Sequence, residues 1–419
     1  MIIGTGKARI FLSSFFIGLL LPVLSGSLHG QPKVIATVTV SEPVGLDREY
    51  EVITFPLQIK NTQWDDSHAL IAVDRTTGDS IPCQVLESPL QGTPVDSVLQ
   101  YEVAFPMQIA SLATRKFDLT LLSGKKGEVE SDLSVKGEGT ELEIENRYYR
   151  ADLTRSNENE VKDHASGQLR ELYLKKYDTL LKRGENRMHW APTFGKRGVD
   201  YYKTIATWDN PGQQSIQEGP YLIQTVRRDT GPEHPEIQVT AQYRFFGNLP
   251  YFTFYSDMIF QKGIWMNLLR NDEMTMDSLF THVAFQRKNG NIVDLPFSGR
   301  YKALAEEPIA NDDPWLCFYH REKGYAFGSI RMIFDNTNTY GSASPVENPH
   351  THISDGAGGG KYWNRRLIYE DWLYVPEGSR YREKNAYIVF SIGESERFRT
   401  VEYYTKRLRN PLEIRMVYE

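Results

Sequence analysis

The sequence predicts an all-β protein: a small N-terminal β-barrel or β-sandwich domain followed by a large antiparallel β-supersandwich. Three observations predict it. Apolar and polar residues alternate with period two, most clearly from Ile237 to Phe245. Ile237, Val239, Ala241, Tyr243 and Phe245 share one face there, and Gln238, Thr240, Gln242 and Arg244 the other, the mark of a half-buried strand. Aromatic residues make up 12% of the chain, with 24 Tyr, 20 Phe and 7 Trp; strands favour them, and a sugar-handling surface carries the same bias. Helical periodicity is scarce. It is confined to Glu396–Leu408, where Phe398, Val401, Tyr404 and Leu408 share a face and Ser395 is the candidate N-cap.

In chain order, Lys7 and Arg9 precede an apolar run from Ile10 to Leu24, and small residues follow to Gly30. This is the pattern of a secretory signal peptide, so residues 1–30 are expected to be removed and Gln31 to open the mature chain. The run is short for a membrane span, no Cys follows it, and no later segment is apolar enough to cross a bilayer. The expected protein is exported, to the periplasm or outside the cell.

Residues 31–135 are expected to form the N-terminal β domain, with strands at Val34–Val40, Glu51–Leu57, Leu70–Val73, Gln84–Leu86, Val98–Phe105 and Phe117–Leu122, punctuated by Pro43, Gly45, Gly78, Pro89 and Gly92. Residues 123–140 are rich in Gly and charge, as linkers are. Residues 139–419 are expected to form the main domain. Leu142–Glu145 alternates, Tyr148–Leu153 follows, and the strand ending at Phe245 turns through Gly247-Asn248-Leu249-Pro250 into Tyr251–Phe260, which is apolar on nearly both faces as a core strand is.

Two cysteines, Cys83 and Cys317, sit in apolar strand-like contexts and are read as buried thiols; an oxidising compartment would permit a disulfide. The 54 acidic residues outnumber the 48 basic ones, for a net charge of −6. That excludes the broad basic surface that nucleic-acid binding needs.

The run Leu142-Glu143-Ile144-Glu145-Asn146-Arg147-Tyr148-Tyr149-Arg150-Ala151-Asp152-Leu153, with the return Gly167-Gln168-Leu169-Arg170-Glu171-Leu172, resembles the opening hairpin of galactose-mutarotase-like β-supersandwich domains. Gly219-Pro220 before Tyr221–Arg227, and the strand pair within Ile237–Phe260, fit the same plan. Leu46-Asp47-Arg48-Glu49-Tyr50 is similar to the N-terminal domain of exo-rhamnogalacturonan lyase-like (YetA-like) proteins. The resemblance implies a carbohydrate-active protein of the kind found among aldose epimerases, glycoside hydrolases and polysaccharide lyases. The helical toroid of several such lyases has no counterpart in the sequence.

The stretch from His350 to Trp372 concentrates chemistry: His350 and His352, a glycine run, Tyr362-Trp363, Arg365-Arg366 and Glu370-Asp371. Arginine grips carboxylates in a forked geometry, flat aromatic faces cover sugar rings, and His and Tyr move protons. A surface loop between strands is the competing reading. On a strand, His350 and His352 face one side. With Glu370 or Asp371 they would form a divalent-cation site; no cofactor is otherwise indicated. Gly356–Lys361 lacks the spacing of a phosphate loop. Elsewhere, His189-Trp190 offers an acid or base beside a stacking face, with a packed Trp-Pro corner as the alternative. His282 and His320 read as structural histidines, and Asn311-Asp312-Asp313 as a turn.

Together these observations predict a protein acting on a polysaccharide or oligosaccharide, an anionic one, as a uronate-specific lyase. Arg365 or Arg366 would neutralise the carboxylate; His352 or His189, with Tyr362, would serve as base and acid. Trp190, Trp363 and His350 would bind substrate. A non-catalytic glycan-binding module, or an aldose epimerase using His282 and Glu370, are the alternatives.

Overall fold

The computed structural model describes residues 33–60, 68–87, 98–124, 127–155, 164–184, 187–209, 211–231, 233–277, 279–297, 308–354, 360–393, 395 and 397–419, without the side chains of Lys60, Val98, Leu99 and Glu370. The expected signal peptide and the glycines at 356–359 lie outside them. No helix among the described residues is long and apolar enough to cross a membrane.

The fold is all-β, built from antiparallel sheets with no closed barrel. The six strands expected in the N-terminal part all form. They divide between a five-stranded and a three-stranded sheet, which pack their apolar faces together through Val38, Leu57, Phe105, Phe117 and Leu119. The five-stranded sheet takes its edge from the far end of the chain, because Glu413–Tyr418 pairs with Lys33–Ser41. Within the stretch read as a linker, Ser134–Glu138 is a strand bonded to Glu141–Glu145.

The main body consists of a nine-stranded sheet facing a six-stranded sheet, with a further five-stranded sheet beside them. The expected strand pair is central: His234–Phe246 and Tyr251–Phe260 lie side by side, with Tyr243 opposite Phe254. Their inward residues Ile237, Val239, Tyr243, Phe245, Phe252 and Phe254 join Met274, Phe327, Trp363 and Tyr387 in one core between the sheets. The opposite face of the nine-stranded sheet, through Trp315, Cys317, Ala386, Ile388 and Phe390, shares one continuous core with the two N-terminal sheets. Both faces are therefore buried, which is why Tyr251–Phe260 reads as nearly continuous apolar sequence.

One helix, Arg399–Arg409, lies against the same face through Phe398, Val401 and Leu408. It starts later than the periodicity suggests, and its N-cap is Phe398 with no side-chain cap, not Ser395. The Arg48 guanidinium, which is fully buried, donates to the carbonyls of Arg407 (3.4 Å) and Asn410 (2.6 Å). It thereby satisfies orphan acceptors at the helix C-terminus, so this part of the Leu46–Tyr50 segment is structural.

Candidate functional site on the outer sheet face

Three strands of the six-stranded sheet build the candidate site: Ile264–Met276, Lys361–Val375 and His350–Ser354, the long Lys361–Val375 strand lying in the middle. Alternation decides what each residue faces. On the central strand Trp363 and Arg365 point inward and are fully buried. Tyr362, Asn364 and Arg366 therefore face outward. On the neighbouring strand Thr351 and Ile353 are buried, and the half-buried His350 and His352 face outward opposite Arg366 and Asn364.

Two bulges sharpen this pattern. The first lies in Ile264–Met276, where Asn271 pairs with Arg365 and Met274 with Trp363, so that two residues, Asp272 and Glu273, stand opposite Asn364 alone. Asp272 adopts φ +44°, a left-handed conformation uncommon for a non-glycine residue. Its carboxylate turns inward to accept from the Trp363 indole (3.0 Å), the Tyr387 hydroxyl (3.1 Å) and Ser329 (2.9 Å). Glu273 turns outward, accepts from Thr193 (3.0 Å) and pairs with Arg270 (3.3 Å). The second bulge puts both Leu367 and Ile368 in the core. Arg366 and Tyr369 thus share the outer face, with the guanidinium 3.7 Å from the ring centroid. Bulges re-aim side chains in this way next to functional sites.

The outer face so formed holds Thr193, Arg270, Glu273, His350, His352, Tyr362, Asn364, Arg366 and Tyr369. Trp190 and Tyr202 border it: their rings are 6.4 Å apart, and the Arg270 guanidinium lies 5.5 Å over the Tyr202 ring. Asn364 is the polar floor. It is fully buried, its carbonyl accepts from Arg366 Nε (3.1 Å), and its amide nitrogen has no protein acceptor. A buried amide without a partner is costly, so this donor is available to a ligand oxygen. The His352 and Tyr362 rings are 5.8 Å apart. Burial, with the Arg366 charge next, depresses His352 to about 4, leaving a neutral imidazole at pH 7. Burial raises the Glu273 carboxyl above its ordinary value.

The sequence-predicted residues divide between the two sides of this sheet. His350, His352, Tyr362, Arg366 and Trp190 come together on the outer face. Trp363 and Arg365 do not: Trp363 packs on Phe318 and Phe327, and Arg365 pairs with Glu383 of the nine-stranded sheet (3.3 Å). The position of His189 likewise excludes direct contact with a glycan. It is fully buried between the sheets, bonded to Tyr243 and 3.4 Å from the Tyr387 hydroxyl, and burial depresses it to about 3. His282 lies on another sheet, stacked on Tyr319 at 4.9 Å. The Glu370 side chain lies outside the described residues.

Sequence reading did not single out Arg270, Glu273 or Asn364. The signal was the polar run Arg270-Asn271-Asp272-Glu273 inside an otherwise apolar strand.

Among the described residues no three His, Cys, Asp or Glu side chains are placed to hold a metal ion. Asp313 serves its turn: it accepts from the Ala310 and Lys288 amides (both 2.9 Å) and pairs with Arg287 (3.2 Å). A cavity of about 740 Å³ lies elsewhere, lined by Cys83, Gln84, Val135, Pro220 and Tyr221 among others.

No protein-family model matches the chain, and no curated protein matches it in sequence. Solved structures do match. A protein of glycosyl hydrolase family 38 from Enterococcus faecalis superposes on 91% of this chain with a TM-score of 0.53 at 12% identity, over 47% of its own length. An alpha-mannosidase from Enterococcus faecalis V583 superposes on 91% with a TM-score of 0.53 at 11% identity, over 46% of its own length. The chain spans about half the length of these structures and shares a fold with them.

Proposed function

We propose that this is an exported protein, periplasmic or extracellular, that acts on a uronate-containing glycan by β-elimination at the outer face of the six-stranded sheet. The observation that carries this reading is the Asn364–Arg366 floor: a buried guanidinium and an unpartnered amide donor, placed side by side and bordered by His352 and Tyr362. The likeness in fold to two structures described as a glycosyl hydrolase and an alpha-mannosidase supports a carbohydrate ligand; the chemistry is argued from the side chains alone.

In such a reaction the C5–H bond of the uronate breaks and the C4–O bond follows, leaving a C4=C5 double bond in the product. Removing the C5 proton places negative charge on the carboxylate. Arg366 and Asn364 Nδ2 would hold that charge, with Arg270 on the adjacent strand adding to the field. His352, neutral at pH 7, would accept the proton, and the Tyr362 hydroxyl would donate to the leaving oxygen. Trp190 and Tyr202 would pack against the ring. Purified protein incubated with a panel of uronate polysaccharides is expected to produce the ultraviolet absorbance of the unsaturated product. No signal across the panel would overturn the lyase reading.

One observation favours a second reading. Glu273 and His352 flank Asn364 on opposite sides of the central strand, two strand spacings or roughly 9–10 Å apart by backbone. A carboxyl whose pKa burial raises and a neutral imidazole across that gap suit acid and base catalysis at the anomeric carbon of a free sugar. Accelerated mutarotation of a simple aldose, without unsaturated product, would select this reading. Binding without turnover of either kind would identify a recognition module.

A further inference from the structure

Farther along the same two strands, the outer face carries exposed aromatic residues that the proposed chemistry does not use. Trp265 and Tyr374 are cross-strand partners whose rings lie 5.5 Å apart, and they remain 46% and 47% exposed. Their neighbours Met266 and Leu373 pack into the core, which fixes Trp265 and Tyr374 on the outer side. Trp372, also half exposed, lies beside them in the chain. Large aromatic side chains grouped in this way on a surface mark an interaction site more often than chance exposure does.

The patch is collinear with the candidate site. The Trp265–Tyr374 pair and the Arg270–Arg366 pair lie on the same two antiparallel strands. Five residues separate them along the first strand, roughly 16 Å at the usual strand rise. The face between them is kept low. At Gly195 a Cβ would come within 2.6 Å of Asn267 Oδ1 and 3.0 Å of the Leu268 side chain, so a larger residue there would have to push the Asn267 amide aside. At Gly263 a Cβ would meet the Tyr374 hydroxyl oxygen at 2.1 Å, so that glycine makes room for the Tyr374 ring to lie where it does.

We infer that Trp265 and Tyr374 form an outlying sugar subsite, holding residues of the same glycan chain whose uronate occupies the Arg366–Asn364 floor. The inference rests on the proposed glycan-active reading and extends it: the substrate is a polymer or long oligomer, laid along the strands. Flat, amphipathic indole and phenol faces suit the apolar side of a pyranose while leaving its hydroxyls wet. The occupant is a glycan because the patch continues the face that holds the acid-base and guanidinium groups: the same two strands stay paired from one to the other, through register shifts at Met266/Leu268 and Leu269/Arg270.

The test compares the wild type with the Trp265→Ala/Tyr374→Ala double variant on one uronate glycan, offered as a size-fractionated polymer and as a disaccharide. The variant should raise KM for the polymer about tenfold and leave kcat/KM for the disaccharide unchanged. Equal effects on both lengths, or none on either, would overturn the subsite. Affinity electrophoresis through gels containing each polymer separates this from failure of the reaction. Retardation of the wild type that the double variant loses supports the subsite even where no turnover occurs, and a wild type retarded by none of the polymers refutes it. A wild type that sediments as a dimer, with the double variant a monomer, would show that a second copy covers the face and would also refute it.

Discussion

Asp272 and Glu273 are adjacent in the chain and serve opposite faces of one sheet. Asp272 accepts three hydrogen bonds in the core between the sheets, from Trp363, Tyr387 and Ser329, while Glu273 lies on the outer face against Thr193 and Arg270. A regular strand also sends neighbours to opposite faces, but with the parity of Asn271 Asp272 would have faced out. The left-handed φ at Asp272 reverses it. The inward hydrogen bonds hold a conformation that costs of order 1–3 kcal/mol on its own.

Asp272→Ala should therefore damage both stability and the site. It strands the Trp363 indole N–H and the Ser329 hydroxyl, takes one partner from the Tyr387 hydroxyl, and removes one of the negative charges that face the nearby Arg331, 3.9 Å away. Removing one member of a buried charged set typically costs about 3–5 kcal/mol. Chemical denaturation is expected to show a loss of that size. A stability within about 0.5 kcal/mol of wild type, the scatter of ordinary surface substitutions, would mean the bulge does not depend on this carboxylate.

His352→Ala and His189→Ala should separate chemistry from architecture. His352 is half-buried on the outer face, so its loss should abolish turnover of a uronate glycan and leave the melting temperature close to wild type. His189 sits among Tyr243, Phe254 and Tyr387; its loss empties a core position, although the Tyr243 hydroxyl keeps its bonds to Gln168 and the Leu169 amide, and should cost about 2–5 kcal/mol. Turnover by the His189 variant, measured where it remains folded, should persist. The reverse assignment would return His189 to the reacting groups.

The contrast between these histidines also shows what was legible in the sequence. Strands with period-two alternation, such as His234–Phe246, could be read directly because one face is apolar. Along Lys361–Val375 the same alternation was visible in principle, yet Arg365 and Arg366 are both charged, so polarity could not say which of them faced the core. Arg365 is inside because Glu383, nearly twenty residues later in the chain, stands opposite it on another sheet, a pairing no local pattern records. The bulge at Asp272 was hidden for a related reason: it is defined by register against Trp363 and Arg365, not by any turn residue. The helix start was displaced because burial of Phe398 against Trp315, not a capping side chain, sets where the helix begins.

Acid should destabilise the protein through its buried histidines. His189 is depressed to about 3, and His234 and His352 to about 4, each chiefly by burial. The unfolded chain binds protons at these positions near pH 6.5 while the folded chain does not. Stability from these groups is therefore complete above about pH 6.5 and falls as pH drops from there toward the folded values. The raised carboxyls Glu273 and Glu383 act in the opposite sense above their ordinary range, so the clean measurement is a difference. The melting-temperature gap between wild type and His189→Asn should narrow between pH 7 and pH 4. A gap that stays constant would show that His189 binds its proton equally in the folded and unfolded chain, so that burial does not depress it.

Cys83 and Cys317 are free and buried, and burial pushes both thiols well above their usual range. Thiolate is the reactive form. The native protein should be inert to a thiol-titrating reagent at pH 8, and two equivalents should react once denaturant is added without reductant. Zero equivalents on unfolding would reveal a disulfide.

Arg365 and Arg366 provide the sharpest test, because the sequence makes them equivalent and the fold does not. Arg365 is fully buried and faces Glu383, whose carboxyl burial pushes upward while the guanidinium pulls it back down. Arg365→Leu leaves Glu383 without that cation and the Asn311 carbonyl without its donor, and should lower stability by about 3–5 kcal/mol. A second change, Glu383→Leu, should restore part of the loss, since an apolar pair of similar volume is often neutral against a buried ion pair. Arg366 stacks on Tyr369 and donates to Asn364 on the outer face. Arg366→Leu should spare most of the stability and weaken binding of a uronate glycan by roughly ten- to a hundredfold, the usual worth of a charge-assisted hydrogen bond. Arg366→Lys should recover little of that, since a point charge cannot reproduce the planar fork. Denaturation midpoints and glycan affinities for the four proteins decide the matter: equal losses of affinity in the Arg365 and Arg366 variants, at equal stability, would remove the outer face as the binding site.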